Sequence, residues 1–555
     1  MDDYCNIISI IFLNKKQYNA NTIIIYVNMN KLYQEWFSNT QYWFANNKII
    51  DEYLCDKYFN NIHDTKQIYE FKAIYSKETL ISCILLLDQI PRHYKRLGND
   101  IDVDEYSHEA IKFTNYVLSI YKDLRIDELS FVYLPYRHVK DVKKIHEIIK
   151  IFLRIYDNSD IDDRIKCKRY LSATLNNIYK HINTKYLDNT LHIKSFDSLN
   201  VNIFDKLSLN NYNIHLKCND IDVYNNIYTE YSKLNPIYPD PKIIVSLSGG
   251  VDSIVALYIL SKISKNVIAV HINYNNRKES QDELDFVNYY CDYLGIRLLY
   301  RTITEITRDD CLSNGLRDLY EDITKKIRFH MYELLNDTNT YILLGHNKDD
   351  CFENIITNIT NKNSYDNLSG MESIKIIDNI KFWRPMLNIP KKDIIHFANL
   401  NEIPYLCDST PKWSIRGKIR DNLRPLLCNL KNNVDITHSG DESAIESFFT
   451  LKEHIEESNN IINDIIINKL LKNINDQLFG TFSIDDLYTF RYKSITKMFF
   501  TRLNINVSSK TLSDFIEYIN RFIITGKERK FILNKTKVFI IKNSDNNLYK
   551  KIIIS

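Results

Sequence analysis

Apolar residues recur at helical spacing over much of residues 31–235, as in 71–87 and in 142–155, where Ile145, Ile148, Ile149 and Phe152 share one face. Strand-like alternation is weak there and Pro is scarce, so the segment predicts an all-helical domain behind an N-terminal extension, residues 1–30. Prolines clustered between residues 234 and 241 break the rhythm and mark a boundary. From residue 242 short apolar runs alternate with helical stretches. Strands are expected at 243–247, 267–272, 296–303 and 341–345, and helices at 253–264, 279–294 and 319–335. Strands separated by helices of this length predict βαβ units, and so an α/β doubly wound parallel sheet over residues 240–430. Residues 431–555 read as helical and then, from 530, as strands, a smaller mixed α+β region. The chain is thus multidomain, as 555 residues require.

Composition adds little to that picture but excludes some classes. At 44% hydrophobic and 26% charged residues the chain can bury a core throughout. Its 72 basic and 70 acidic residues nearly cancel, so any nucleic-acid surface must come from local clustering. Ten cysteines lie scattered with no C-x-x-C pair, which argues against a disulfide framework and against a cysteine-ligated metal. The start carries Asp2 and Asp3 and only a short apolar run at 7–13, unlike a signal peptide, and no run reaches membrane-spanning length. A cytoplasmic, reducing setting is the expectation.

Candidate chemistry begins at Ser248-Gly249-Gly250-Val251-Asp252-Ser253, which follows an apolar strand and opens a helix. Two glycines let the backbone turn tightly and approach an anion, two serines add hydroxyl donors, and the helix start supplies unpaired N–H groups. Asp252 repels phosphate on its own and makes sense when Mg²⁺ bridges the two. The string lacks the Lys-Ser/Thr ending of a Walker loop and does not fit the dinucleotide fingerprint. It resembles the SGGxDS loop of the N-type ATP pyrophosphatases, the PP-loop superfamily. That resemblance implies ATP, gripped at its β,γ-pyrophosphate while a substrate oxygen attacks the α-phosphorus.

Further motifs follow in a fixed order. Residues 270–277 end in Arg277, with Ser280 beyond, and Glu321, Lys325, Arg328 and Phe329 keep the spacing E-x-x-x-[RK]-x-x-R-[YF] on one helix face. His346-Asn347-Lys348-Asp349-Asp350-Cys351-Phe352-Glu353 places three carboxylates within five residues, which repel one another unless a cation sits among them. Then come Leu368-Ser369-Gly370, Arg384-Pro385-Met386-Leu387, Asp408-Ser409-Thr410 and the basic string Arg416-Gly417-Lys418-Ile419-Arg420, with Lys412 and Arg424 nearby. Together, over residues 242–427, these are similar to the tRNA(Ile)-lysidine synthases. Arg491, Lys493, Lys497, Arg502, Arg529, Lys530, Lys535 and Lys537 add charge to a more loosely similar tail.

The resemblance implies an AMP-forming ligase that adenylates the wobble cytidine of an isoleucine tRNA with a CAU anticodon and attaches free L-lysine. Its cofactors would be ATP and Mg²⁺. By position it implies Asp252, Asp349, Asp350 and Glu353 as catalytic carboxylates, with Asp252 and Asp349 on the metal. Ser248, Gly249, Gly250, Val251, Asp252, Ser253, His271 and Arg328 would hold the nucleotide, and Arg277, Arg416, Lys418 and Arg420 the tRNA. The chain departs from the pattern at Tyr274, Asn347, Cys351, Asn354, Gly417 and Lys418. A tRNA thiolase stays open through Cys351, and a non-catalytic tRNA-binding paralogue through the changes at Asn347, Cys351 and Gly417. In the N-terminal domain, Leu85 to Arg92 and Phe131 to His138 resemble an uncharacterised all-helical family. Asp88, Gln89, Arg92, His93 and His138 there either line a pocket or form a buried network that fixes helix order, and the network is the favoured reading.

Overall fold

The computed structural model describes residues 20–44, 47–70, 72–180, 221–234, 240–277, 279–312, 315–361, 368–406, 414–429, 443–474, 479–503, 505, 507–533, 537–543 and 549–554. Eight principal helices open it: α1 (Ala20–Ser38), α2 (Lys48–Tyr58), α3 (Lys77–Asp88), α4 (Ile90–Arg96), α5 (Val103–Ile120), α6 (Ile126–His138), α7 (Val142–Asn158) and α8 (Ile161–Ile178). The expected helix over 71–87 starts only at Lys77, because the Ser76 hydroxyl accepts from Thr79 N at 3.3 Å and caps it. Helix α7 follows its sequence pattern: Ile145, Ile148, Ile149 and Phe152 are buried, and Asp141 caps its start. Met29 on α1 lies in the core, so the described part of the first thirty residues belongs to the helical body.

After α9 (Ile221–Ser232) the alternation begins: β1 (Lys242–Ser246), α10 (Val251–Ile263), β2 (Val267–Asn273), α11 (Ser280–Leu294), β3 (Arg297–Thr302), α12 (Arg317–Glu333), β4 (Thr340–Leu343) and α13 (Lys348–Thr360). Then come β5 (Ile374–Ile377), β6 (Ile380–Trp383) and α14 (Lys391–Leu400). The hairpin β5–β6 was not expected from the apolar pattern, since Ile374 and Ile376 face solvent and each run is only four residues long. Strand order is β3-β2-β1-β4-β6-β5, with β1 parallel to β2 and β4, β4 parallel to β6, and β5 antiparallel to β6. Ile243, Ile244 and Val245 are fully buried, as a central strand covered on both faces requires.

The C-terminal part carries α15 (Ser443–Ile461), β7 (Phe479–Ser483), α16 (Ile484–Thr489), α17 (Lys493–Arg502), α18 (Ser509–Thr525), β8 (Lys530–Ile532), β9 (Val538–Asn543) and β10 (Tyr549–Ile554). Strand β7 precedes three helices and joins the last strands in the order β7-β10-β9-β8. The helical-then-strand pattern expected from the sequence missed it, because Gly480 and Thr481 leave no apolar run. Around Phe482, Phe490, Phe499, Phe500, Phe515 and Phe539 this part packs a core of its own.

By its contacts the chain divides into two compact units. One holds residues 1–192, 271–285 and 298–335, the other 193–270, 286–297 and 336–555. Within the first, Asp88 is 1% exposed and accepts from Gln89 Nε2 at 2.6 Å and Ser107 Oγ at 2.7 Å, with His138 Nδ1 at 2.8 Å. His93 belongs to a separate group, with Asp51 and Arg96. These are closed networks tying helices together, and the favoured reading of the polar set stands.

Glu128, fully buried, accepts from Tyr33 Oη and from Arg125 N at 2.7 Å, with Lys77 Nζ at 3.2 Å. Burial alone would raise its carboxyl, yet the hydrogen bonds and Lys77 hold it below the usual range, as their counterparts do for Asp51 and Asp88. A carboxyl lowered in the folded state contributes stability that is complete above its unfolded value and disappears as pH falls through the folded one. The helical unit should therefore lose protection in acid, below about pH 4. Hydrogen exchange of peptides spanning α6 measures this. Glu128→Gln should cost about 1–3 kcal/mol at pH 7 and flatten the acid limb; an unchanged pH profile would contradict the assignment.

Candidate functional site

Strands β1 and β4 are neighbours, with Ile243 to Val245 paired to Tyr341 to Leu343. After β1 the chain winds to β2 and β3 on one side, and after β4 to β6 on the other, so the order reverses between them. Loops leaving the carboxyl ends of two such strands diverge and open a crevice, where ligands bind in doubly wound sheets. Residues 248–253 leave one strand and residues 345–350 the other.

The first loop is pinned closely. Gly249 has φ +86° and its carbonyl accepts from Leu406 N at 2.9 Å. A Cβ at Gly249 would stand 2.4 Å from Leu406 Cδ1. Buried Ser253 Oγ accepts from Ser248 N at 3.2 Å, lies 3.1 Å from Ser248 Oγ, and donates to the Gly250 carbonyl at 3.0 Å. Gly250 is the N-cap of α10, so the first N–H groups of that helix open beside the loop. Gly345 completes the approach: a Cβ there would come within 3.2 Å of Ser253 N and 3.3 Å of Asp252 Cβ.

Asp252 faces the second loop. Its Oδ1 accepts from Asn347 Nδ2 at 3.0 Å and its Oδ2 from Lys391 Nζ at 2.5 Å. Burial raises its carboxyl, Lys391 opposes that shift, and the charge of Asp350 adds to it. Lys391 was not among the expected site residues. It opens α14 directly after Pro390, and a lysine at the first turn of an ordinary helix carries no signal in sequence. Asn347 also caps α13, where its side chain accepts from Asp350 N at 3.1 Å and Asp350 accepts from Asn347 N at 3.2 Å. The two bonds form an Asn-x-x-Asp capping box. It commits one oxygen of Asp350 to the helix end.

The remaining acids meet the basic string. Arg424 pairs with Asp349 at 3.0 Å. Arg420 sets both Nε and Nη2 on Glu353 Oε1 at 3.0 Å, while Glu353 Oε2 is buried without a hydrogen-bond partner. Burial raises the Glu353 carboxyl, with Arg420 and Arg416 opposing and Asp350 adding. Arg416 and Lys418 are exposed on the same helical stretch. Cys351 is 1% exposed in an apolar cluster with Ile355 and Leu387, and burial raises its thiol. Among the described residues no three His, Cys, Asp or Glu side chains converge as a ready metal cage. Residues 408–410 and 412 lie outside the described residues.

Three expected residues fall in the first unit. His271 is buried at the end of β2. Arg277 is ion-paired with Glu283 and lines a cleft of about 760 Å³ with Lys150, Arg154 and Arg308. Arg328 is half-buried on α12. On that helix Glu321 turns to Arg317 at 2.7 Å, and Lys325 instead lies over the Phe329 ring, 5.6 Å from its centroid.

Comparisons with known proteins agree with this architecture. Residues 223–427 match the PP-loop domain family, and residues 32–187 match a family described as bacterial protein of unknown function (DUF924). The chain thus carries a PP-loop domain behind a helical domain of that second kind. It is 28% identical over 328 residues to a tRNA(Ile)-lysidine synthase of Mycoplasma mycoides, covering 55% of this chain and 74% of that one. To a tRNA(Ile)-lysidine synthase of Borreliella afzelii it is 30% identical over 194 residues, 34% of this chain but 42% of that one, less than half its length. Among solved structures, the U34-tRNA thiolase NcsA from Methanococcus maripaludis aligns with a TM-score of 0.32 at 22% identity, over 41% of this chain and 80% of that one. No helix among the described residues is long and apolar enough to cross a membrane.

Gly249→Ala should be strained twice, by its positive φ and by Leu406. We expect a local cost of about 2–4 kcal/mol, seen as lost exchange protection over residues 247–253. Gly295→Ala, also at positive φ (+67°) but with open space around it, should cost about 1 kcal/mol. Equal effects of the two would mean that Leu406 does not hold the loop.

Proposed function

We propose that this chain, built around a PP-loop domain, is an ATP-dependent tRNA-modifying ligase. It adenylates the C2 oxygen of the wobble cytidine in an isoleucine tRNA with a CAU anticodon and joins lysine to it. The carbonyl oxygen attacks the α-phosphorus and the bond to pyrophosphate breaks. The lysine amine then adds at C2, loses a proton, and AMP leaves. Adenylation turns a poor leaving group into a good one.

The observation that carries the reading is the facing of two loops at the strand switch, one rich in donors and one rich in carboxylates. Ser248, Ser253 and the first N–H groups of α10 would hold the pyrophosphate. Glu353 Oε2, buried without a donor, suits a cation such as the ammonium of lysine. Asp252, with Asp349, fits Mg²⁺, which binds through one or two carboxylates plus substrate phosphates and needs no all-protein cage. Mg²⁺ held there would neutralise charge on the departing pyrophosphate. Lys391, which donates to Asp252 Oδ2, would hold a phosphate or yield that oxygen to the metal. Exposed Arg416 and Lys418 would meet tRNA phosphate. The names of the similar bacterial proteins support the same choice of substrate. The thiolase alternative loses support from Cys351, which is packed as a core thiol.

The test is tRNA-dependent exchange of pyrophosphate into ATP, followed by mass spectrometry of nucleosides after incubation with labelled lysine. Label should enter cytidine. Asp252→Ala should lower exchange by about 10²–10³. Exchange without label in any nucleoside would remove lysine from the proposal, and full exchange in the variant would remove Asp252. Binding of tRNA with no exchange would favour the non-catalytic paralogue.

A further inference from the structure

Arg137, on α6, is only 8% exposed. Its Nε has no hydrogen-bond partner, and its one side-chain hydrogen bond is a long 3.5 Å contact from Nη1 to Thr174 Oγ1. No ion pair to it occurs among the described residues. The guanidinium stands 5.8 Å from the Tyr170 ring centroid. The Tyr170 hydroxyl, close to Thr174, is also buried without a hydrogen bond of normal geometry. Both side chains line one cavity of about 40 Å³, walled by Trp43 and Phe131 and bordered by Lys166 and Arg169. The acid on that wall, Asp127, is held by Lys166 at 3.3 Å.

Arg137 Nε is left without an acceptor, and Arg137 Nη1 and the Tyr170 hydroxyl share Thr174 alone, at poor geometry, which is costly for two buried donors. A cation taken out of water without a partner loses several kcal/mol, and an unmet hydroxyl adds about 1–3 kcal/mol. The cavity has room for a few heavy atoms, since a water needs roughly 10–15 Å³ of the same measure. A group that accepts from both donors and carries negative charge would satisfy them, adding to the charge of Asp88 that already acts on Arg137. We infer that this cavity binds a small oxyanion, a carboxylate or phosphoryl group, gripped by Arg137 and Tyr170 and entered past Arg169. The aromatic walls lower the local dielectric and strengthen each charge-assisted hydrogen bond. The site lies wholly in the helical domain, and its chemistry does not depend on the ligase reading.

Trp43 gives a local readout that the phosphate loop does not disturb. The full chain, with its four tryptophans replaced by 5-fluorotryptophan, is titrated with inorganic phosphate and with acetate against sodium chloride at constant ionic strength. The Trp43 fluorine resonance, assigned with Trp43→Phe, should shift and saturate with at least one probe, and the tighter probe identifies the source of the group. Arg137→Met should weaken that binding about tenfold or more, and Tyr170→Phe and Arg169→Gln about threefold each. No saturable shift with either probe overturns the proposal, as does unchanged affinity in Arg137→Met. Should that variant fail to fold, unchanged affinity in both Tyr170→Phe and Arg169→Gln overturns it equally.

Discussion

Adjacent parallel strands whose crossovers leave in opposite directions send their outgoing loops apart, and the crevice between β1 and β4 follows from that divergence. Everything assigned to the nucleotide depends on this crevice staying narrow. Gly345 lets the end of β4 approach the start of α10 more tightly than a Cβ would leave comfortable, and Gly249, at positive φ, sits where a Cβ would press on the Leu406 side chain. The two serines then hold the loop closed on itself, so its N–H groups are set before any ligand arrives.

The second constraint is charge. Four carboxylates near one crevice cannot all stay ionised unless cations face them, and the protein supplies these from far along the chain. Lys391 answers Asp252, Arg424 answers Asp349 and Arg420 answers Glu353. Such partly buried pairs are poor sources of stability, because desolvation offsets much of the Coulomb gain. Under the proposed function these cations would give way to a substrate or metal of like charge. Asn347, a departure from the related pattern, fits this arrangement, since its amide both caps α13 and donates to Asp252.

In the helical domain similar polar residues do the opposite work. Asp88 and Glu128 are saturated by partners on other helices, which fixes the helix order and leaves no group for a ligand. Arg137 stands apart because its partners are missing.

Periodicity was enough for the helices that bury one face and for strands β1 to β4, because burial on a regular element leaves a repeat in the chain. The loop at 248–253 was equally legible, since its glycines answer a local backbone need. The hairpin β5–β6 and strand β7 were not, being short, partly exposed or glycine-containing, and held by pairing with distant segments. The ion pairs of the site were also hidden. Sequence named Asp252, Asp349 and Glu353 and a basic string, but which cation meets which acid is decided by packing between segments 67 to 139 residues apart, where no local rule applies. That is why Lys391 went unseen and why Arg420, expected on RNA, lies on Glu353. The sequence by itself determined the elements and the phosphate loop, because both are local. Tertiary structure alone decided the partners of each buried charge, because electrostatic neutralisation acts through space and not along the chain.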